Sequence, residues 1–388
     1  MPEAVIVATG RTPIGRAYKG SLIDVRPDDM AGVVIKAVLD RIPQLDRSTI
    51  DDVMLGCGLT HHEQGYNLGR NAALLAGLPD TVPGTTVNRF CASSLQTIRM
   101  AFHAIKAGEG DVFVAAGVES VTRAMNKGFE PEDFNPRFMD EERDDFINHV
   151  YIPMGITAEN VAKRFGVDRE RMDAYAKRSQ DRAVAAQADG FFEREIIPYP
   201  LDDGTLVDRD DGPRPGTTLE KLASLPPAFK NQGVVTAGNA CPLNDGAAAV
   251  VVMSDQRAAT LGITPKARIV ASSVSALAPE IMGVGPIEAV GRVLAQAGMK
   301  IGDMDIVELN EAFAAQVLPV VDELGIDVDD QLNPHGGAIA LGHPFGMTGA
   351  RIMTTLLNGL QTADQTLGLE TMCVGGGQGM AMIIERLS

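Results

Sequence analysis

Cys91 combines a nucleophilic side chain with a position at which proteins often activate one. It comes directly before a stretch whose apolar residues recur at helical spacing until Gly108. The positive end of the helix dipole would favour the thiolate of Cys91, and free backbone N–H groups of the first turn could hold an oxyanion. This position therefore predicts a nucleophile for covalent catalysis, with a buried and inert cysteine as the alternative.

His343 is the residue that would activate this thiol. Pro344 follows it and suits the first position of a helix, so we expect His343 near a helix N-terminus. The helix dipole there would keep the imidazole neutral and able to accept a proton. A neutral imidazole beside a cysteine is a common activated pair, whereas a purely structural N-cap residue is the alternative for His343.

Cys373 and Asn310 supply two further polar groups. Cys373 comes before a run of glycines, where a substrate can approach the backbone closely. A second cysteine with no disulfide pattern around it suggests a separate acid/base. Asn310 follows an apolar stretch that predicts a strand, and at the end of that strand it could fix a water or donate to an oxyanion.

Two other motifs are interpreted as holding no cofactor. The glycines at 375–379 are followed by an apolar stretch that predicts a strand, whereas a dinucleotide-binding fingerprint requires a helix there. The group of Cys57, His61, His62 and Glu63 has a spacing that matches no common zinc site. We therefore interpret that group as a polar loop and expect no metal.

The elements that would position these residues occur twice, in the same order, about 250–265 residues apart. The first set comprises predicted strands at residues 4–8, 52–55 and 112–116, with predicted helices at 28–39 and after Cys91. The second set comprises predicted strands at 267–271, 305–309 and 366–371, with predicted helices at 286–297 and around 352–360. His343 takes in the second set the place that Cys91 takes in the first. Two halves packed about a pseudo-twofold axis would therefore bring these residues together.

The alternation of strands and helices predicts an α/β fold with largely parallel sheets and helices on their faces. We expect one core half from residues 1–120 together with about 245–265, and a second half from 266–388. The segment 121–244 is rich in charge, proline and aromatic residues, which indicates an inserted loop domain. Within it, residues 168–192 predict a helix that is exposed on one side.

Composition limits the partners. The 388 residues include 34 Lys+Arg and 51 Asp+Glu, which gives a net charge of −17, and no basic run suits a nucleic acid. An anionic ligand would need a local positive patch on such a protein. Four scattered cysteines without a Cys-x-x-Cys pair, no apolar leader and no apolar run of membrane-spanning length favour a soluble protein of the reducing cytoplasm.

Four of these stretches resemble the signature motifs of the thiolase family. They are VNRFCASS at 87–94, NEAF at 310–313, GGAIALGHPFGMTGAR at 336–351 and CVGGGQG at 373–379. Supporting stretches are MGITAEN at 154–160, TAGNA at 236–240, NDGAAA at 244–249 and MGVGP at 282–286. The resemblance runs from end to end of the chain in family order. It implies the thiolase-like fold, with duplicated βαβαβαββ halves in a layered αβαβα arrangement and an inserted loop domain.

The resemblance also implies a role for each catalytic candidate. Cys91 would be acylated by an acyl-CoA thioester, and His343 would activate it and polarise the thioester carbonyl. Cys373 would remove or return the proton on the α-carbon of acetyl-CoA. Asn310 would hold a water that completes one oxyanion hole with His343, while the backbone N–H groups of Cys91 and Gly375 would form the second.

Contacts to coenzyme A are implied in the same way. Arg214 and Lys221 match positions near its nucleotide part, and they are candidates for the local positive patch on this acidic protein. Further residues match positions of the pantetheine or acyl pocket, with simple packing as the alternative for each. They are Met154, Ala228, Phe229, Ala237, Cys241, Met282, Ala312 and Phe313.

A few residues differ between branches of the family. Short-chain biosynthetic thiolases usually have serine at the position of Cys241 and histidine at that of Pro153. Arg89 and Pro153 are more similar to the degradative 3-ketoacyl-CoA thiolases. The resemblance gives no role to His335 or Cys57.

The implied activity is thiolytic cleavage of 3-ketoacyl-CoA, of the fatty-acid β-oxidation type, to acetyl-CoA and a shortened acyl-CoA. The alternatives are an acetyltransferase that makes or cleaves acetoacetyl-CoA and, more remotely, a non-catalytic protein that binds acyl-CoA or lipid. A ketoacyl synthase is disfavoured because such enzymes lack the second catalytic cysteine that Cys373 would supply. We expect acyl-CoA substrates, no permanently bound cofactor, no nucleic-acid or membrane partner, and a homo-oligomer, either a dimer or a tetramer.

Overall fold

The structure is a computed structural model that describes residues 2–125, 131–140 and 150–388. Two parts of the predicted insertion, residues 126–130 and 141–149, lie outside the described residues. The strands are β1 (Ala4–Arg11), β2 (Gly15–Arg16), β3 (Asp52–Gly56), β4 (Gly84–Val87), β5 (Val112–Ser120), β6 (Tyr199–Pro200), β7 (Leu206–Val207), β8 (Asn244–Ser254), β9 (Ala267–Ala276), β10 (Ile306–Leu309), β11 (Leu367–Val374) and β12 (Gln378–Arg386). The α-helices are α1 (Pro27–Asp40), α2 (Leu68–Leu75), α3 (Ser93–Ala107), α4 (Val121–Ala124), α5 (Met154–Phe165), α6 (Arg169–Ala188), α7 (Leu219–Ala223), α8 (Asp255–Leu261), α9 (Gly285–Ala297), α10 (Ala314–Leu324), α11 (Ala338–Leu341) and α12 (Thr348–Thr362).

The predicted duplication is visible in the order of the strands. Hydrogen-bonded strands follow the path β10-β11-β12-β9-β1-β8-β5-β3-β4, and β2 pairs with β8. The first half contributes β4, β3, β5, β8 and β1, and the second contributes β10, β11, β12 and β9 in the matching order. Where the first half has β4, the second has an isolated parallel bridge between Val307 and Leu332. The halves join through the pairs Val5–Arg268 and Ile6–Ala267 of β1 and β9.

The expectation of largely parallel sheets is wrong, because the strands near the centre of the path run antiparallel. Among the described strands, parallel ladders join β3 with β4 and β5 and β10 with β11, while the remaining ladders are antiparallel. The strand β12 returns from β11 through the short glycine turn, and only antiparallel strands can be joined so tightly. Its counterpart β8 follows the long insertion and runs antiparallel to both β1 and β5. The architecture is therefore a layered α/β fold with a mixed sheet.

Three apolar clusters form the layers, and alternation along β1 shows how they stack. Val5 joins the cluster under α1, while Ile6, on the opposite face, joins the central cluster that contains α3 and α12. The helices α9 and α10 cover the other face of the second half, where Val290 and Val317 are fully buried. The helices α3 and α12 thus lie between the two halves, which brings their N-termini to the middle of the molecule.

The insertion between β5 and β8 contains the predicted long helix. Asp168 caps α6 by accepting a hydrogen bond from the backbone N–H of Arg171, as its position before the helix suggests. The helices α5 and α6 bury Val161 and Met172 in the same cluster as α10, so the insertion packs against the second half.

Candidate active site

A short 3-10 turn, Phe90–Ala92, holds Cys91 directly before α3. Phe90 has a φ of 45°, in the left-handed region that a bulky side chain rarely adopts. Three hydrogen bonds hold this turn. The side chain of Asn88 accepts from the N–H of Phe90 at 2.8 Å, and the hydroxyl of Ser93 accepts from the N–H of Arg89 while donating to the carbonyl of Phe90. The strained turn is thus fixed by its own sequence neighbours.

The structure brings the Cys91 and His343 loops together at the N-termini of α3 and α12. The hydroxyl of Ser94 in α3 accepts a hydrogen bond from the N–H of Ala350 in α12 at 2.9 Å. A Cβ atom on Gly349 would lie 2.3 Å from the backbone nitrogen of Leu95, so only glycine permits this approach of the two helices. The pseudo-twofold packing expected from the internal repeat is therefore present.

His343 is not at a helix N-cap, so that expectation is wrong. The helix α12 begins at Thr348, and the residues between form a turn that closes with the N–H of Met347 on the carbonyl of Pro344. The reason is the packing of Gly346, because a Cβ atom there would lie 2.3 Å from the carbonyl oxygen of Val118. The chain is pressed against β5 at this point and cannot begin to wind until Thr348.

Both ring nitrogens of His343 have partners. Nδ1 lies 2.7 Å from the Thr348 hydroxyl, and Nε2 lies 3.3 Å from the side-chain nitrogen of Asn310. The amide nitrogen of Asn310 is a donor, so Nε2 is the acceptor of this pair. The other side-chain atom of Asn310, Oδ1, is buried without a hydrogen-bond partner among the described residues, which leaves it able to accept from a bound molecule.

Burial makes the resting site electrically neutral. It lowers the pKa of His343 to about 3, with a smaller contribution from the cationic Arg351. Burial also raises the pKa of Cys91 to about 12, although the backbone N–H groups of Gly375 and of Cys91 itself donate towards the sulfur. The predicted preference for a thiolate is therefore wrong in the resting state. A helix terminus typically contributes about 0.3–1 kcal/mol, whereas one pKa unit corresponds to about 1.4 kcal/mol.

Three thiols converge at this point. Cys373 lies near the end of β11 and is fully buried, and its pKa is raised by burial and by the charges that Cys91 and Cys241 would carry. Gly375 follows it in the turn to β12, where a Cβ atom would lie 3.4 Å from the ring of Phe90. The glycine run is therefore a hairpin turn against the Cys91 loop, as its sequence context indicates.

Several of the predicted pocket residues lie together beside Cys241. The N–H of Cys241 donates to the carbonyl of Ala312 at 3.0 Å, and the ring of Phe313 packs edge-on against that of Phe229. Phe229 also covers Gly155, where a Cβ atom would lie 2.1 Å from the ring. Met282 is buried in the same apolar cluster as Phe313.

The other predicted binding residues are not part of the group beside Cys241. Met154 begins α5 and is partly buried, whereas Ala228 and Ala237 are exposed on the insertion. Arg214 and Lys221 line one cavity of about 260 Å³. The ammonium of Lys221 donates to the carbonyl of Gly216, which leaves further N–H groups of both side chains for a ligand.

Sequence reasoning missed three residues that orient the site. They are Thr348 and Asn244, whose side chains bond to the ring and to the backbone N–H of His343, and Glu119 at the end of β5. Glu119 carried a usable signal, because it is the one charged residue in the otherwise apolar stretch 112–120.

The structure shows which groups contact His335 and Cys57, the two residues to which the sequence assigns no role. His335 stacks on Phe191 with 3.5 Å between ring centres, and burial lowers its pKa to about 4. Cys57 is buried with its sulfur 3.7 Å from a carboxylate oxygen of Glu119. Among residues 2–125, 131–140 and 150–388, no group of three or more His, Cys, Asp or Glu side chains could hold a metal ion, and no helix is long and apolar enough to cross a membrane.

Comparisons with known proteins show the family of the chain. The thiolase N-terminal domain matches residues 4–256, and the thiolase C-terminal domain matches residues 263–386. The chain is 46% identical, over the full length of both proteins, to a 3-oxoadipyl-CoA/3-oxo-5,6-dehydrosuberyl-CoA thiolase of Escherichia coli and to a 3-ketoacyl-CoA thiolase of Shewanella frigidimarina. The crystal structure of the dimeric peroxisomal thiolase of Saccharomyces cerevisiae matches with a TM-score of 0.93 and 38% identity, covering 100% of this chain and 98% of that one.

Proposed function

Because the chain belongs to the thiolase family of acyltransferases, we propose that it cleaves 3-ketoacyl-CoA thioesters with coenzyme A, giving acetyl-CoA and a shortened acyl-CoA. The observation that carries this proposal is that the Cys373 thiol lies close enough to Cys91 to feel its charge, while the helices that follow the Cys91 and His343 turns meet through Ser94 and Ala350. Two thiols suit a reaction that must both form an acyl-enzyme and move a proton on carbon.

The first half-reaction uses Cys91 as the nucleophile. Its sulfur attacks the 3-keto carbon of the substrate while Nε2 of His343 takes the thiol proton. The bond between C2 and C3 then breaks, which leaves the shortened acyl group on Cys91 and the electron pair on C2. Cys373 donates its proton to C2, so acetyl-CoA leaves and Cys373 becomes a thiolate.

The second half-reaction restores both thiols. Coenzyme A gives its thiol proton to the Cys373 thiolate and attacks the acyl group on Cys91. The shortened acyl-CoA leaves, and the Cys91 sulfur recovers its proton from His343. The high pKa of Cys91 and the low pKa of His343 make the first proton transfer unfavourable before substrate binds. Attack and proton transfer are therefore coupled.

Negative charge develops on oxygen in both half-reactions, and two sets of donors face it. The backbone N–H groups of Cys91 and Gly375, which bond to the thiol at rest, stabilise the tetrahedral oxyanion once the sulfur has reacted. A water held by Asn310, whose Oδ1 has no other partner among the described residues, stabilises the enolate oxygen together with His343. Loss of one such donor typically costs about 2.7–4 kcal/mol of transition-state stabilisation.

The insertion, residues 121–244, supplies the coenzyme A contacts in this proposal, and the core halves keep the boundaries 1–120 with about 245–265 and 266–388. Arg214 and Lys221 bind the phosphates. We propose a homo-oligomer of at least two chains in the cytoplasm. The dimeric state of the yeast relative and the four free cysteines support this part of the proposal.

A profile of thiolysis rate against substrate length tests the proposed activity. The purified protein is assayed with acetoacetyl-CoA, longer straight-chain 3-ketoacyl-CoA esters and 3-oxoadipyl-CoA, the substrate in the name of the E. coli relative. We expect higher kcat/KM with the longer substrates than with acetoacetyl-CoA. A strict preference for acetoacetyl-CoA would replace the proposal by the acetyltransferase alternative. The absence of an acyl adduct on Cys91 by intact mass would favour a binding protein.

A further inference from the structure

Glu119 is a fully buried carboxylate at the end of β5, and its partners belong to both halves of the molecule. One oxygen accepts hydrogen bonds from the backbone N–H of Gly58 at 2.8 Å and of Gly346 at 2.9 Å. The other accepts from the N–H of Leu59 and from the side chain of Gln64. This one side chain therefore ties the loop after β3 to the turn before α12.

The hydrogen bond between Gly346 and Glu119 affects the position of His343. Gly346 lies in the turn between His343 and α12, and its backbone is pressed against Val118 and Gly56, to whose carbonyl oxygens a Cβ atom would come within 2.3 and 2.7 Å. The N–H bond to Glu119 holds this turn against the first half. The position of the His343 ring therefore depends on a residue of the other half.

The hydrogen bond between Gly58 and Glu119 affects the position of Cys91. The carbonyl oxygen of Gly58 accepts a hydrogen bond from the side chain of Asn88 at 2.9 Å. The same Asn88 accepts from the N–H of Phe90, the strained residue directly before Cys91. A continuous chain of hydrogen bonds thus runs from the His343 turn through Glu119 to the Cys91 turn.

Burial raises the pKa of Glu119, whereas the hydrogen bonds from Gly346, Gly58, Gln64 and Leu59 favour its ionised form. In the part of the chain that the structure describes, the groups that bond to its oxygens are N–H donors and the thiol of Cys57, so a proton on the carboxyl would have no good acceptor. Its charge also faces Cys91, where it disfavours the thiolate.

The geometry points to Glu119 as the positioning residue that sets the Cys91 loop against the His343 loop across the two halves, through Gly58–Asn88 on one side and Gly346 on the other. It touches neither the substrate nor the reacting atoms. This role rests on the proposed thiolase activity of Cys91 and His343. In chemical terms, a misplacement of about 1 Å between reacting groups can lower a rate by about a hundredfold.

The test is Glu119→Gln, which keeps the size of the side chain and removes its charge. In either orientation the amide NH₂ group faces two N–H donors, so two of the hydrogen bonds are lost. We expect kcat of thiolysis to fall by about 10–100-fold with KM changed less than about twofold. The pH profile of Cys91 alkylation by iodoacetamide, read by mass spectrometry, should shift to lower pH, because the facing carboxylate charge is gone while His343, Cys373 and Cys241 remain.

Two further variants keep the test decisive. Asp305→Asn is the matched control, since Asp305 also accepts from two backbone N–H groups, those of Thr366 and Leu367, but at the opposite end of the strands. Both bonds end on one oxygen of Asp305, which the amide oxygen of asparagine can replace, so this variant should leave the melting temperature and kcat close to the wild type. If Glu119→Gln does not fold, Asn88→Asp breaks the same chain at its donor to Gly58 and should lower kcat without raising KM.

The outcomes separate the two proposals. Wild-type kcat in both Glu119→Gln and Asn88→Asp would overturn the positioning role. A wild-type protein that cleaves no 3-ketoacyl-CoA would overturn the proposed function instead. The alkylation readout needs no substrate, so it still measures the link between Glu119 and Cys91 in that case.

Discussion

Thr348 sets the tautomer of His343. Its hydroxyl lies 2.7 Å from Nδ1 of the ring and donates its own proton to the carbonyl of Pro344, also at 2.7 Å. A hydroxyl has a single proton, so the bond to the ring must run from an N–H on Nδ1 to the Thr348 oxygen. The lone pair of the neutral ring is therefore on Nε2, the nitrogen that faces Asn310 and that would take a proton from Cys91.

Thr348→Val should lower kcat of thiolysis by about 10–100-fold, because an unpaired buried N–H costs about 1–3 kcal/mol and favours the other tautomer. Valine has nearly the same shape, so the fold should persist, with a melting temperature lowered by the unpaired N–H alone. Thr348→Ser keeps the hydroxyl and should retain most of the activity. Equal loss in the serine and valine variants would show that the hydroxyl acceptor alone does not account for the effect.

Cys91→Ser should lower kcat by at least about a thousandfold, since a hydroxyl near neutral pH is a much weaker nucleophile than a cysteine. The fold should persist, because the side chains are similar in size. Intact mass after incubation with acetyl-CoA should show an acetyl adduct on the wild type and none on the variant. Turnover near the wild-type rate in the variant would remove Cys91 from the mechanism.

The buried His343 and the partly buried His335 should make the fold sensitive to acid. Burial lowers the pKa of His343 to about 3 and of His335 to about 4, from an ordinary value of 6.5. Below pH 6.5 the unfolded chain therefore binds protons that the folded chain does not, and each histidine reduces the free energy of unfolding by up to about 1.4 kcal/mol per pH unit as the pH falls towards its folded pKa.

This pH dependence is measured by urea unfolding between pH 7 and pH 4.5, with about 0.5-unit steps. His335→Asn and His343→Asn should each give a shallower loss of stability than the wild type. Only His343→Asn should also abolish thiolysis, because His335 stacks on Phe191 rather than facing the thiols. The buried Glu308, whose pKa burial raises to about 8, acts in the opposite direction and is unchanged in both variants.

Arg214→Ala should raise KM for CoA thioesters about tenfold with little change in kcat, the effect of losing about 1.4 kcal/mol of uniform binding. Arg209→Ala removes the same charge from an exposed position of the same insertion that does not line the Arg214 cavity. Its KM should stay at the wild-type value. High salt should shrink the difference between the two variants, because it screens phosphate contacts at the surface.

The sequence alone predicts those features of the fold that depend on residues close together in the chain. The helix α3 ends at Gly108 in a left-handed conformation, and the glycines at 375–377 turn a hairpin, as their neighbours in the sequence indicate. The motifs also pointed to residues that the fold brings near one another, since Cys373 lies close to Cys91 and Asn310 lies 3.3 Å from His343.

Tertiary packing decided the rest. The delayed start of α12 follows from the contact of Gly346 with β5, and the neutral thiol of Cys91 follows from burial that no local pattern reveals. The orienting role of Glu119 depends on partners 61 and 227 residues away in the chain. Contacts between residues so far apart in the chain produce no periodic pattern in the sequence from which they could be predicted.

The place of β8 in the sheet has a consequence for synthesis on the ribosome. It lies between β1 and β5, yet it is made only after the whole insertion, so the edges of these two strands that β8 later covers have no partner for a long stretch of translation. At about 5–20 residues per second, this delay is on the order of ten seconds. During that interval the open edges of β1 and β5 are exposed to wrong pairing, and a nascent-chain chaperone that shields them would raise the yield of active protein.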